Sequence, residues 1–77
     1  MNPPVATLYT RPGCHLCDEA RAELERQGFQ VEAVEIDPDP ELVERYGDCI
    51  PVVVIDGKER FRGRVSPMLL RRLLAKR

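Results

Sequence analysis

Tryptophan is absent from this 77-residue chain, and only Tyr9, Phe29, Tyr46 and Phe61 are aromatic, so aliphatic side chains must build the core. Three cysteines allow one disulfide at most and exclude a framework of several bridges. No apolar run approaches the roughly 18 residues that cross a bilayer. The Met1-Asn2-Pro3-Pro4 start lacks the charged and apolar regions of a secretory leader. Nor does one charge dominate: 12 Lys+Arg against 13 Asp+Glu leave a formal net charge of −1, which gives no support for a polyanion binder. These absences lead us to expect a cytoplasmic monomer that engages neither membrane nor nucleic acid. In that compartment thiols are kept reduced, so a closely spaced cysteine pair points to catalysis or metal binding rather than to a structural bridge. The length fits one domain, residues 1–77, burying roughly 60% of the surface of the unfolded chain.

The hydrophobic pattern predicts a β-α-β-α-β-β-α order. Val5–Tyr9 is short, apolar and β-prone, and Pro12-Gly13 ends it. From Cys14 to Gln27 the period becomes helical, with Leu16, Ala20 and Leu24 four apart and Cys17 beside them; Gly28 stands where a left-handed cap belongs. Phe29–Ile36 alternates as a second strand, with Phe29, Val31, Ala33 and less cleanly Val34 and Ile36 facing inward. Asp39-Pro40 then reads as cap and first position of a helix reaching about Tyr46, closed by Gly47. Val52–Ile55 is a continuous apolar run that suits a strand covered on both faces. Asp56-Gly57 signals a hairpin to a return strand, Lys58–Arg62. Ser66-Pro67 opens a last helix, Met68–Lys76, whose apolar stripe is Leu69, Leu70, Leu73 and Leu74. A helix between the first two strands makes them parallel, and the last two are antiparallel. The fold expected is α/β: a four-stranded mixed sheet flanked by helices.

The chemistry concentrates in Cys14-His15-Leu16-Cys17. Two thiols three residues apart at a helix start lie on neighbouring positions of one face, close enough to bridge. The first turn of a helix also offers unpaired N–H groups and a partial positive charge, which favour a sulfur anion. A free cysteine titrates near 8.5, and this setting commonly lowers that value. Arg11 adds positive charge two residues before the turn. The strand–loop–helix junction brings Cys14 to the carboxyl edge of the sheet, where sites form in open α/β folds. The pattern points to disulfide exchange in two steps: Cys14 attacks a substrate disulfide, and Cys17 then attacks Cys14.

The run Leu8-Tyr9-Thr10-Arg11-Pro12-Gly13-Cys14-His15-Leu16-Cys17, followed by Ile50-Pro51-Val52-Val53-Val54 and Asp56-Gly57, resembles the glutaredoxin-like proteins of the thioredoxin fold. The resemblance covers essentially the whole chain. It implies a thiol–disulfide oxidoreductase acting on protein or low-molecular-weight disulfides, with Cys14 as nucleophile and Cys17 as resolving thiol. It also implies that Pro51 is a cis-proline facing the pair, that the Ile50 backbone pairs with substrate, and that Arg11 can meet glutathione. No cofactor is implied beyond glutathione as a co-substrate. Two departures stand out. His15 and Leu16 replace the usual proline and tyrosine, and Arg62-Gly63-Arg64-Val65-Ser66 keeps one glycine and no aspartate of the segment that helps hold glutathione. The electron donor is therefore glutathione or a reductase of the thioredoxin-reductase type.

Other residues carry weaker signals. Cys49, two residues before Pro51, is either a second thiol within reach of Cys14 or a small buried residue without chemistry. His15 either stabilises the Cys14 thiolate or is an exposed helix-start histidine. Lys58, Arg60, Arg62 and Arg64 alternate, which puts them on one face of the return strand as a solvated edge or a basic stripe. The cations of the last helix suit the negative end of its dipole. Two alternatives to the enzyme stay open: a zinc or iron–sulfur module using Cys14, Cys17 and Cys49, and a partner-binding domain with a redox-sensitive clasp. For zinc, His15 is a poor fourth ligand, since it points away from the face its neighbours share.

Overall fold

A computed structural model of the chain describes residues 3–75. Its elements are β1 (Val5–Thr10), α1 (His15–Arg26), β2 (Gln30–Glu35), α2 (Pro40–Tyr46), β3 (Val52–Ile55), β4 (Lys58–Arg62) and α3 (Pro67–Ala75). They form one sheet in the order β2-β1-β3-β4. β1 runs parallel to β2, with Ala6 opposite Val31 and Leu8 opposite Ala33. β1 is antiparallel to β3, and β3 to β4. This is the four-stranded mixed sheet that the element order predicts. The last predicted helix reaches Lys76, which lies outside the described residues.

Local chemistry explains each boundary. Asp39 accepts the Glu41 N–H at 3.0 Å, and Pro40 fills the first position of α2, where no donor is needed. Ser66 and Pro67 repeat the device at α3, the Ser66 hydroxyl accepting from the Leu69 N–H at 3.4 Å. α1 closes on Gly28, whose φ of 93° would strain a residue bearing a side chain. The Gly28 N–H bonds the Glu25 carbonyl and the Phe29 N–H bonds the Leu24 carbonyl, both at 3.0 Å. Leu24 and Phe29 then meet in the core, as in a Schellman ending. At the β3–β4 hairpin Asp56 and Gly57 take φ of 54° and 78°, the left-handed pair that a type I′ turn requires.

The sheet is covered on both faces. α1 and α3 pack over Ala6, Leu8, Val53, Ile55 and Phe61, contributing Ala20, Leu24 and Leu70. α2 covers the other face, where Tyr46 joins Ile36 and Val52, with Tyr9, Val54, Cys49 and Ile50 around them. β3 feeds both layers, which accounts for its unbroken apolar run.

Four sequence expectations need correction. Leu16, assigned to the inner face of α1, is 41% exposed, and the buried line is Cys17, Ala20 and Leu24. The helix is rotated so that a sulfur, not an isobutyl group, meets the sheet. Ala33 is exposed because β2 is an edge strand, half-covered at Val31 and Val34. Leu69 is 49% exposed: Leu70 is buried and Leu73 and Leu74 half-buried, a narrower stripe than the period suggests. Finally, Lys58, Arg60, Arg62 and Arg64 do not share one face. Val53 pairs with Phe61 but Val54 pairs with Glu59, so a bulge at Arg60 resets the alternation. Lys58 projects with Ile55, and Arg62 projects with Val52 on the opposite face.

Gly47 closes α2 in a right-handed conformation, its N–H bonded to the Val43 carbonyl at 2.8 Å. A Cβ placed there would lie 2.5 Å from that carbonyl oxygen, a backbone atom that cannot step aside. We expect Gly47→Ala to destabilise the fold by about 1–3 kcal/mol. Each kcal/mol lowers Tm by about 4–8 °C in a domain of this size. A melting curve superimposable on the parent would contradict the crowding.

Candidate active site

β1 ends at Thr10, and the loop Arg11-Pro12-Gly13 leads to Cys14, which precedes the first helical residue of α1. Cys14 is extended, with φ −87° and ψ 107°, and it is the N-cap. Its sulfur accepts the Cys17 N–H at 3.2 Å. That is the bond a serine or aspartate makes when it caps a helix. A neutral thiol is a weak acceptor, whereas a sulfur anion gains a charge-assisted hydrogen bond and the positive end of the helix dipole. Cys14 is half-buried.

Cys17 is its opposite: only 2% of its surface is exposed. Burial pushes its thiol pKa up, because the anion would lose its water. A hydrogen bond shared with the Cys14 sulfur raises it further by keeping the proton on Cys17. The Thr10 side chain and the Arg11 backbone act in the other direction, giving the Cys17 sulfur polar partners at the end of β1. Beside it a groove of about 450 Å3 runs between α1 and the ends of β1 and β2, reaching from Leu8 and Ala33 to Pro12 and Gly13.

The loop is held from the α2 side. The Arg11 Nε donates to Asp37 Oδ1 at 2.6 Å, and its Nη1 donates to the Gly47 carbonyl at 3.2 Å. Arg11 thus joins the cysteine loop to both ends of the segment carrying α2. Tyr9 stacks on Tyr46 with centroids 4.7 Å apart, and Arg45 lies over the Tyr46 ring. On the β3 side the Ile50–Pro51 bond is cis, Pro51 is buried, and its carbonyl accepts the Gly63 N–H at 2.7 Å. Ile50 is half-buried against the α2 layer.

A family model described as "Glutaredoxin-like domain (DUF836)" matches residues 5–75. The chain belongs to that family. An uncharacterised protein of Mycobacterium tuberculosis is 34% identical to this glutaredoxin-like domain over 99% of the chain and 88% of its own length. Protein Ne2328 from Nitrosomonas europaea, solved in solution, superposes with a TM-score of 0.82 at 28% identity, covering 95% of this chain and 93% of that one. The glutaredoxin-like NrdH-redoxin from Escherichia coli superposes with a TM-score of 0.68 at 30% identity, covering 90% and 93%.

Among the residues singled out in the sequence, the fold brings Cys14 and Cys17 together and sets Arg11 in the adjoining loop. His15 is exposed on the first turn and makes no hydrogen bond or ion pair among the described residues. Cys49 belongs to the α2 layer, where its sulfur accepts from Arg62 Nη1 at 3.7 Å. No three His, Cys, Asp or Glu side chains among the described residues converge as metal ligands, so Cys49 does not complete a metal set with Cys14 and Cys17. No helix among the described residues is long and apolar enough to cross a membrane. Sequence reading missed Thr10, Asp37 and Gly47. A hydroxyl at a strand end was a visible signal for Thr10, while nothing local pairs Arg11 with a residue 26 positions away.

The environment of this glutaredoxin-like domain fixes a pH dependence. A raised pKa means that Cys17 holds its proton at neutral pH and becomes a nucleophile only as pH rises. We therefore expect Cys17 of the reduced protein, followed residue by residue, to alkylate with a midpoint above that of a free thiol. A midpoint at or below the free-thiol value would contradict the role given to burial.

Proposed function

We propose that this protein is a thiol–disulfide oxidoreductase reducing disulfides of proteins or small molecules. The observation that carries the reading is the Cys17 N–H aimed at the Cys14 sulfur at 3.2 Å, with a buried second thiol in the same turn. Cys14, as thiolate, attacks one sulfur of the substrate disulfide; a bond forms between them and the other substrate sulfur leaves as a thiolate. Cys17 then loses its proton to solvent and attacks the Cys14 sulfur. The Cys14–Cys17 disulfide forms and the remaining substrate sulfur leaves with the electron pair. Two electrons have passed from the protein to the substrate. Exposed Leu16, between the two cysteines, offers apolar contact to the incoming chain, and the Ile50 backbone beside cis-Pro51 offers it hydrogen bonds.

The oxidised pair must be reduced again, and we assign this to a dithiol reductase of the thioredoxin-reductase type rather than to glutathione. The Arg11 guanidinium, the cation nearest the pair in sequence, is already engaged by Asp37 and the Gly47 carbonyl, which lowers its worth to a glutathione carboxylate. The structural relative NrdH-redoxin is itself described as having a thioredoxin-like activity profile.

A coupled assay with a small mixed disulfide tests both parts. NADPH oxidation is followed through thioredoxin reductase, or through glutathione and glutathione reductase. We expect turnover with the first system and little with the second. Cys14→Ser should fall to the uncatalysed rate, Cys17→Ser should accumulate a mixed disulfide on Cys14, and Cys49→Ser should retain most activity. Full activity in Cys14→Ser would end the enzyme reading; equal turnover through glutathione would end the donor assignment alone.

A further inference from the structure

The bulge that breaks the basic stripe also builds a second surface. Val53 pairs with Phe61 and Val54 with Glu59, so Arg60 is the extra residue on β4. In regular pleating Arg60 and Phe61 project to opposite faces. The bulge re-aims Arg60 to the side of Phe61, and both line a groove of about 260 Å3 with Leu69, Arg72 and Leu73. This groove shares no lining residue with the one beside Cys17, and β3 separates its strand from β1.

Two independent features mark it. Arg11, Arg21, Arg26 and Arg62 each meet a carboxylate, and Arg45 lies over Tyr46. Arg60 and Arg72, like Lys58, Arg64 and Arg71, form no ion pair among the described residues, and no acidic side chain among those residues lines the groove. Here, then, two cations lack their complement. The second feature is apolar: Leu69 is 49% exposed inside this concavity, and neighbouring Met68 is 63% exposed on the same first turn of α3. One exposed leucine is ordinary on a protein surface. An exposed leucine set in a groove between unpaired arginines is complementary to an apolar side chain flanked by carboxylates.

We propose that the groove between β4 and α3 docks an acidic protein segment bearing one large apolar anchor. Its volume lies below the roughly 300–1,000 Å3 of small-molecule pockets, which suits a side chain rather than a cofactor. Its floor of Phe61, Leu69 and Leu73 gives nothing to a phosphate backbone. The bulge and the charges on β4 oppose addition of a partner strand at that edge. The surface works independently of Cys14 and Cys17, as a grip on a partner away from the exchanging sulfurs.

The probe is a synthetic hexapeptide with a central Leu-Phe pair flanked by two carboxylates on each side. It is titrated into the isotope-labelled full chain and followed by amide and arginine side-chain NMR signals. We expect saturable shifts confined to Arg60, Phe61, Leu69, Arg72 and Leu73, with Kd below about 1 mM. Arg60→Glu with Arg72→Glu should weaken binding about tenfold or more, equivalent to about 1.4 kcal/mol. Leu69→Ser, which touches an exposed side chain and spares the core, should weaken it as well, and disulfide reduction by either variant should be unchanged. Three results would overturn the proposal: no saturation, equal shifts from a peptide with lysines in place of the carboxylates, or equal shifts from one with serines in place of the Leu-Phe pair. Concentration-dependent dimerisation that buries Leu69 would overturn it in favour of a second copy as the occupant.

Discussion

A hydrogen bond from the Cys17 amide to the Cys14 sulfur organises the molecule. It puts a cysteine where helices ordinarily place serine, threonine, aspartate or asparagine. As a thiol it caps poorly; as an anion it caps well. The start of α1 is therefore held best by the anionic state of Cys14, the state that the proposed exchange requires. The same cap fixes the rotation of α1. Three residues on, Cys17 turns inward on the line that continues through Ala20 and Leu24 to the Schellman ending at Gly28. One cysteine is half-buried with its sulfur bonded at a helix terminus; the other is buried and holds its proton. The contrast between them follows from position rather than from any difference in residue type.

The loop carrying Cys14 needs a fixed base, and α2 supplies it from across the sheet. Arg11 reaches both Asp37 and the Gly47 carbonyl, and Tyr9 stacks on Tyr46. The Arg11–Asp37 pair is partly exposed, at 35% and 51% of the two side chains, so its direct contribution to stability is small, about 0–1 kcal/mol. Its value is geometric. Two hydrogen bonds in different directions set the guanidinium, and with it the residue from which the cysteine loop departs. Gly47 takes part because it combines a free carbonyl with the absence of a side chain beside Val43.

Much of this was legible in the chain itself. Asp39-Pro40, Ser66-Pro67, Gly28 and Asp56-Gly57 are local signals, each decided by a few neighbouring atoms, and each appears in the fold where it was expected. The cysteine pair is equally local. The misplacements share a different cause. Leu16 and Leu69 fit a helical period as well as their neighbours do, and only the rotation of α1 and of α3 against the sheet decides that they face outward. The alternation of Lys58, Arg60, Arg62 and Arg64 is regular in sequence but is reset by one unpaired residue, which no residue of β4 announces. The Arg11–Asp37–Gly47 contact joins segments distant in sequence. Of the candidate site, the cysteine pair could be read directly, and its supports could not.

The comparative reactivity of the three thiols tests the central claim most directly. The reduced protein is pulsed at pH 7 with a limiting amount of iodoacetamide, and the adducts are assigned by peptide mass spectrometry. N-acetylcysteine in the same pulse serves as the standard, since Cys49 has the Arg62 guanidinium beside its sulfur. The account predicts that Cys14 is labelled about tenfold or more faster than N-acetylcysteine, while Cys17 is protected. Labelling of Cys14 no faster than the free thiol would contradict it, because the cap would then confer no anionic character on the sulfur proposed to react.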